Sequence, residues 1–223
     1  MAAGDVNGDG QADIITGAGP GGGPHVKVFD GATGRELASY FAYSADFRGG
    51  VSVAAGVAPV NERLSLQIRM PEAEVITGAG PGGGPHVRVF NALTGVERFG
   101  FFAFDASFDG GVNVAFGELA GASIMGSDST SIVVSAASKS SEVRIFDNLG
   151  RLQSRFDAFA NFNGGVSAVV VDLPGNGANE LVLGSGPGGG SFMRALDGSD
   201  FHELRSDDAF DPAFLGGVFV SGS

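Results

Sequence analysis

The sequence predicts an all-β fold built from four copies of one unit. Three observations predict it. First, a glycine-rich stretch recurs. Thr16 to Val26 reads T-G-A-G-P-G-G-G-P-H-V, Thr77 to Val87 repeats it residue for residue, and Leu183 to Met193 reads L-G-S-G-P-G-G-G-S-F-M. Second, Phe-x-Gly-Gly-Val occurs at Phe47, Phe108, Phe162 and Phe214, alternating with the first marker at a period of about 50 to 60 residues. Third, turn chemistry cuts each copy into strand-length pieces rich in Val, Ile, Phe and Tyr.

In the first copy the predicted strands are Asp13 to Gly17, His25 to Asp30, Glu36 to Tyr43 and Val51 to Gly56. Asp30-Gly31-Ala32-Thr33-Gly34 is a hairpin turn, and Asn91 to Gly95, Asp147 to Gly150 and Asp197-Gly198 fill the same slot. The third copy diverges: Ser135 to Val143 reads S-A-A-S-K-S-S-E-V and lacks the glycines. No stretch sustains the 3.6-residue period of a substantial helix.

Four strands per unit at this period is the pattern of a β-propeller blade. A sixteen-stranded sandwich is the alternative, but it would not require such regular repetition. The expectation is a single domain over residues 1–223, with repeats at about 5–56, 57–117, 118–171 and 172–223. It forms either a closed four-bladed ring or a fragment of a larger propeller. The repeat boundary cuts through a blade, because the chain ends on the strand type that precedes the first loop. Ring closure would pair Val218 to Val220 with the first blade. The glycine-rich loops and Phe-x-Gly-Gly segments would share one face of the disc, and the loop at Asp5 and the Asp-Gly turns the other.

Composition narrows the function. The 39 glycines show no G-X-Y period, so they signal tight turns rather than collagen. A net charge of −12 repels phosphate backbones and argues against nucleic acid as a partner. The absence of cysteine excludes disulfides and thiolate chemistry. No apolar run reaches the roughly 20 residues of a membrane span, so no membrane insertion is expected. Met1 to Asp5 lacks the basic and apolar regions of a signal peptide, and a leader upstream of this chain is compatible with that.

The sharpest chemical motif is Asp5-Val6-Asn7-Gly8-Asp9-Gly10-Gln11-Ala12-Asp13. Asp5, Asn7, Asp9 and Asp13 supply oxygen ligands at positions 1, 3, 5 and 9, and Gln11 offers its backbone carbonyl at position 7. Hard oxygen donors at alternating positions select Ca²⁺. The opening matches the EF-hand pattern, but position 12 is Thr16 and the flanks are strands, so this is a shorter loop of a different kind. A weaker second series is Asp172, Asn176 and Glu180, which has Pro174 at position 3.

These segments resemble an FG-GAP (VCBS-like) repeat. Phe47 to Gly56 looks like its start, Ala3 to Gly10 like its calcium loop, and Ile14 to Pro20 like its Gly-Ala-Pro end. The resemblance implies a propeller of the kind found in integrin α-subunits and many bacterial secreted proteins. It also implies Ca²⁺ between the first and second strands, and an extracellular or cell-surface setting. Such propellers usually have seven blades, and only the first loop here is intact.

The resulting expectation is a non-catalytic, calcium-stabilised binding or scaffold module for a protein or glycan. The alternatives are the propeller of a polysaccharide-degrading enzyme and a lectin-like carbohydrate-binding module. An enzyme would need a basic cluster, and Lys27, Arg88, Arg144 and Arg194 recur at one position, as a solvated strand face or as a ring round the axis. No Gly-x-Ser-x-Gly elbow is present. His25 and His86 repeat, but Glu142 and Phe192 hold the same place, which marks a framework position. The glycine-rich loops read as tight links rather than anion nests, and the 19 Phe as filling between blades.

Overall fold

The computed structural model describes residues 1–57, 73–122, 130–173, 178–211 and 213–221. These fold into four antiparallel sheets, each of four strands in chain order. The first holds β1 (Ala2–Gly4), β2 (Asp13–Gly17), β3 (His25–Phe29) and β4 (Glu36–Phe41). The second holds β5 (Val51–Val57), β6 (Ala73–Ala79), β7 (His86–Asn91) and β8 (Glu97–Phe102). The third holds β9 (Val112–Glu118), β10 (Thr130–Ala136), β11 (Glu142–Asp147) and β12 (Leu152–Asp157). The fourth holds β13 (Val166–Val171), β14 (Glu180–Ser185), β15 (Phe192–Asp197) and β16 (Glu203–Asp208). The arrangement is propeller-like, and the predicted strands are found where expected. Sequence repeat and sheet are out of phase by one strand, since Val51–Val57 opens the second sheet.

Burial explains the sequence pattern. The second strands β6, β10 and β14 are buried almost throughout and read as continuous apolar runs. The fourth strands β4, β8, β12 and β16 are largely exposed and carry the charges. Each sheet has a register shift at the same place on its third strand, at Val28/Phe29, Val89/Phe90, Ile145/Phe146 and Ala195/Leu196. A bulge there sharpens the twist that lets neighbouring sheets stack.

Three hydrophobic cores lie between the four sheets. Ile15, Val26 and Val28 meet Val75 and Phe90 between the first and second. Ile76, Val87 and Phe104 meet Ile132 and Phe146 between the second and third. Val133, Val143 and Ile145 meet Leu181 and Leu196 between the third and fourth. Among the described residues no core cluster joins the fourth sheet to the first.

The opening strands line one central cavity of about 400 Å³, flanked by Met1 to Ala3, β5, β9, β13 and Phe219 to Ser221. That last segment occupies a fifth inner position. Val218 N–H donates to Ser185 O as Val51 N–H donates to Ala18 O. β1 holds the place beside β2. Val218 to Val220 therefore lies against the fourth sheet instead of pairing with the first, because Val218 N–H and O are taken by Ser185 O and Ser167 Oγ of that sheet.

Candidate functional site

The loop joining β1 to β2 runs from Asp5 to Ala12, and Gly8 and Gly10 turn it with φ of 81° and 84°. Asp5 organises it from within. Its Oδ1 accepts from Gly8 N–H at 2.7 Å and its Oδ2 from Gly10 N–H at 2.9 Å. Those backbone donors, Gly10 first, hold the Asp5 carboxyl below the usual carboxylate range. Asp9 Oδ1 accepts from Gln11 N–H at 2.8 Å, and Gln11 itself is exposed.

Asp13 is the anchor. Its side chain is fully buried at the start of β2. Oδ2 accepts from Val6 N–H at 2.9 Å and Asn7 N–H at 3.2 Å, and Oδ1 accepts from Gly31 N–H at 3.0 Å. One carboxylate thus ties the loop to the hairpin between β3 and β4.

The Asn7 side-chain amide sits where carboxylates converge. Its Nδ2 lies 3.3 Å from Asp9 Oδ2, 3.4 Å from Asp13 Oδ1 and 3.4 Å from Asp30 Oδ2. Asp30 is a participant that the sequence pattern missed, since it stands in the next hairpin turn. Its carboxyl is held low, chiefly by Thr33 Oγ1 at 2.8 Å. The donor chemistry fits a hard cation. All four carboxylates offer oxygen, and Asn7 can present Oδ1 in place of its nitrogen. Asp5 stays on its own backbone donors, so the structure brings Asn7, Asp9, Asp13 and Asp30 together more closely than Asp5 or Gln11.

The second series is partly placed. Glu180, the counterpart of Asp13, is buried and accepts from Leu173 N–H at 2.7 Å. Asp172 is exposed. Asn176 lies outside the described residues. Among those residues, the three ligating groups within 4.8 Å of one another are Asp197, Asp200 and His202, on the exposed turn after β15. Within it His202 Nδ1 lies 2.5 Å from Asp200 Oδ1.

The recurring basic residues do not ring the axis. The three arginines strut one sheet to the next, while Lys27 pairs with Glu36 of its own hairpin. Arg88 Nη1 donates to Ala42 O at 3.0 Å, Arg144 Nη1 to Ala103 O at 3.0 Å, and Arg194 Nη1 to Ala158 O. The guanidinium stems also cover aromatic rings, with Arg144 centred 4.6 Å from Phe104. Tight neighbouring blades place the basic residue of one sheet against the last carbonyl of the sheet before, so its charge is spent on structure.

The glycine-rich loops direct their amides inward. Gly21, Gly82 and Gly188 N–H donate to Arg48, Asp109 and Leu215 O on the Phe-x-Gly-Gly segments. Both markers thus share one face, and the Asp5 loop and Asp30 turn share another. The histidines are framework groups: His25 Nε2 bonds Ser39 Oγ at 2.8 Å, and His86 packs on Phe102 and Tyr43.

Burial lowers the His86 pKa from 6.5, whereas the Asp200 carboxylate raises that of His202. For His86 the fold favours the neutral ring. Its contribution to stability is present above the unfolded value and is lost as pH falls through the lower folded one. An NMR titration of the ring protons is expected to place His202 above 6.5 and His86 below it. The opposite order would contradict the packing described here.

The FG-GAP repeat family matches residues 1–35. No curated protein matches the chain. The matched span covers β1, the Asp5 loop, β2, β3 and the Asp30 turn, which are the segments that build the candidate site. Residues 1–35 are therefore similar to an FG-GAP repeat, and the four sheets of the chain share one four-stranded build.

Proposed function

We propose that this chain is a calcium-stabilised binding or scaffold module that works outside the cell or at its surface, with a protein or glycan as partner. The observation that carries this reading is the convergence of Asp9, Asp13 and Asp30 on the Asn7 amide, at the junction of the Asp5 loop and the next hairpin. When bound, Ca²⁺ supplies charge compensation and cross-links that junction. Asn7, Asp9, Asp13 and Asp30 are the residues that would hold it, with Asp5 shaping the loop around it.

We read the module as non-catalytic. Its recurring arginines are engaged with neighbouring sheets, and the serine hydrogen bonds at Asp105 and Asp197 hold those two carboxyls below the usual carboxylate range. No helix among the described residues is long and apolar enough to cross a membrane.

Calcium that binds only the folded state stabilises it by mass action. Extracellular sites commonly bind in the 10⁻⁴ to 10⁻³ M range, so millimolar Ca²⁺ is expected to add about 1 kcal/mol, or roughly 2–4 °C of melting temperature at this size. The rise should vanish in Asp9→Ala, whose side chain is exposed and contributes little else. A wild-type melting curve indifferent to Ca²⁺ would remove the metal from this reading.

A further inference from the structure

Each internal junction between sheets is built from the same pair of faces. The face offered by the preceding sheet carries two aromatic rings and an alanine carbonyl. The pairs are Tyr43 with Phe47, Phe104 with Phe108, and Phe159 with Phe162, at centroid separations of 5.8, 5.1 and 6.1 Å. The face offered by the following sheet carries an aliphatic residue on its second strand, opposite a large side chain on its third. The pairs are Val75 with Phe90, Ile132 with Phe146, and Leu181 with Leu196, all at most 4% exposed.

The two outermost sheets keep these faces and leave them in solvent. On the fourth sheet Phe210 and Phe214 meet edge to face at 5.3 Å, but they are 59% and 43% exposed. Ala209, the counterpart of the fully buried Ala42 and Ala158, is exposed too. On the first sheet Ile14 pairs with Phe29 as Val75 pairs with Phe90, yet Ile14 is 44% exposed while Val75 is fully buried. Gly83 and Gly189 lie directly against the rings of Phe47 and Phe162, whereas at their counterpart Gly22 a Cβ would meet only its own loop. Among the described residues no hydrogen bond joins the first sheet to the fourth.

We propose that these two faces bind each other in different molecules, so that the chain associates head to tail with a second copy of itself. The fourth sheet of one copy takes the first sheet of the next, in the manner of the internal junctions. Lys27 is the first sheet's counterpart of Arg88, and like it is paired with a glutamate across the hairpin, Glu36 at 2.6 Å. In the docked pair it approaches the Ala209 carbonyl and the Phe210 ring, as Arg88 approaches Ala42 O and Tyr43. Such a contact is heterologous, because the two surfaces differ. The net charge of −12 opposes it, and added salt screens that repulsion.

Sedimentation at physiological salt tests this. The wild-type mass is expected to rise above 22.4 kDa as concentration increases to hundreds of micromolar. Ile14→Asp and Phe210→Asp should each sediment as monomers with circular dichroism unchanged, because both side chains already face solvent in a single copy. An equimolar mixture of the two variants should form a one-to-one dimer, since the good fourth-sheet face of Ile14→Asp meets the good first-sheet face of Phe210→Asp. If Phe210→Asp fails to fold, Phe210→Ser serves the same test. A wild type that stays monomeric, a variant that associates like the wild type, or a mixture that stays monomeric would each overturn the proposal.

Discussion

Replacing Gly111 with alanine is expected to lower the melting temperature by on the order of 10 °C. Gly111 is the second glycine of a Phe-x-Gly-Gly segment, with φ of 73°, a conformation that costs another residue roughly 1–3 kcal/mol. Its surroundings add a second penalty. A Cβ there would lie inside 3.0 Å of Gly80 C and Pro81 N, which are backbone atoms of the loop joining β6 to β7. Backbone cannot swing aside as a side chain can. Gly111 O is also held by Ala137 N–H from the third sheet at 2.9 Å, so the segment is fixed from both sides. Overpacking of this kind costs about 1–3 kcal/mol. Together the two reach about 4 kcal/mol, and each kcal/mol is worth about 2–4 °C in a chain of this length.

Gly82 is the control, with φ of 84° and nothing within 4 Å of a Cβ. Gly82→Ala should show only the backbone penalty, a few degrees. Equal melting shifts for the two variants would mean that contact between the loop and the Phe-x-Gly-Gly segment does not matter.

Asp13→Ala is expected to cost on the order of 3 kcal/mol, measured by denaturant unfolding in a chelator so that no metal contributes. The buried carboxylate accepts from Val6, Asn7 and Gly31 N–H. Hydrogen bonds to a charged group contribute more than neutral ones, and removing the acceptor leaves donors desolvated. Val6 is itself buried, so its amide has no easy route to water. Asp13→Asn should lie between wild type and Asp13→Ala, because the amide keeps one acceptor oxygen and turns a donor toward the remaining N–H groups. An Asp13→Ala variant as stable as wild type in chelator would show that Asp13 serves the metal alone.

The same residue shows why only part of the site could be read from the sequence. Asp5, Asn7, Asp9 and Asp13 are close in the chain, and alternating oxygen donors with a glycine turn between them form a local pattern. Asp30 is as near to the Asn7 side-chain amide as Asp13 is, but it arrives through a hairpin, and its own sequence context describes a turn equally well. The basic position on the third strands was visible as a repeat. Its role as a strut was not, because its acceptor is a backbone carbonyl on another sheet, and a carbonyl leaves no mark in the sequence.

By itself the sequence determined the repeating unit: four strands, the turn between each pair, the two glycine markers and the all-oxygen loop. These depend on residues near one another in the chain, where side-chain pattern and backbone preference act directly. The tertiary structure decided how the units meet. Val218 to Val220 and Ala2–Gly4 are both strand-forming segments, and local chemistry does not say which will lie beside β2. Packing does, by placing Val218 against Ser185 and leaving Ile14 and Phe210 on two faces that the internal junctions keep dry.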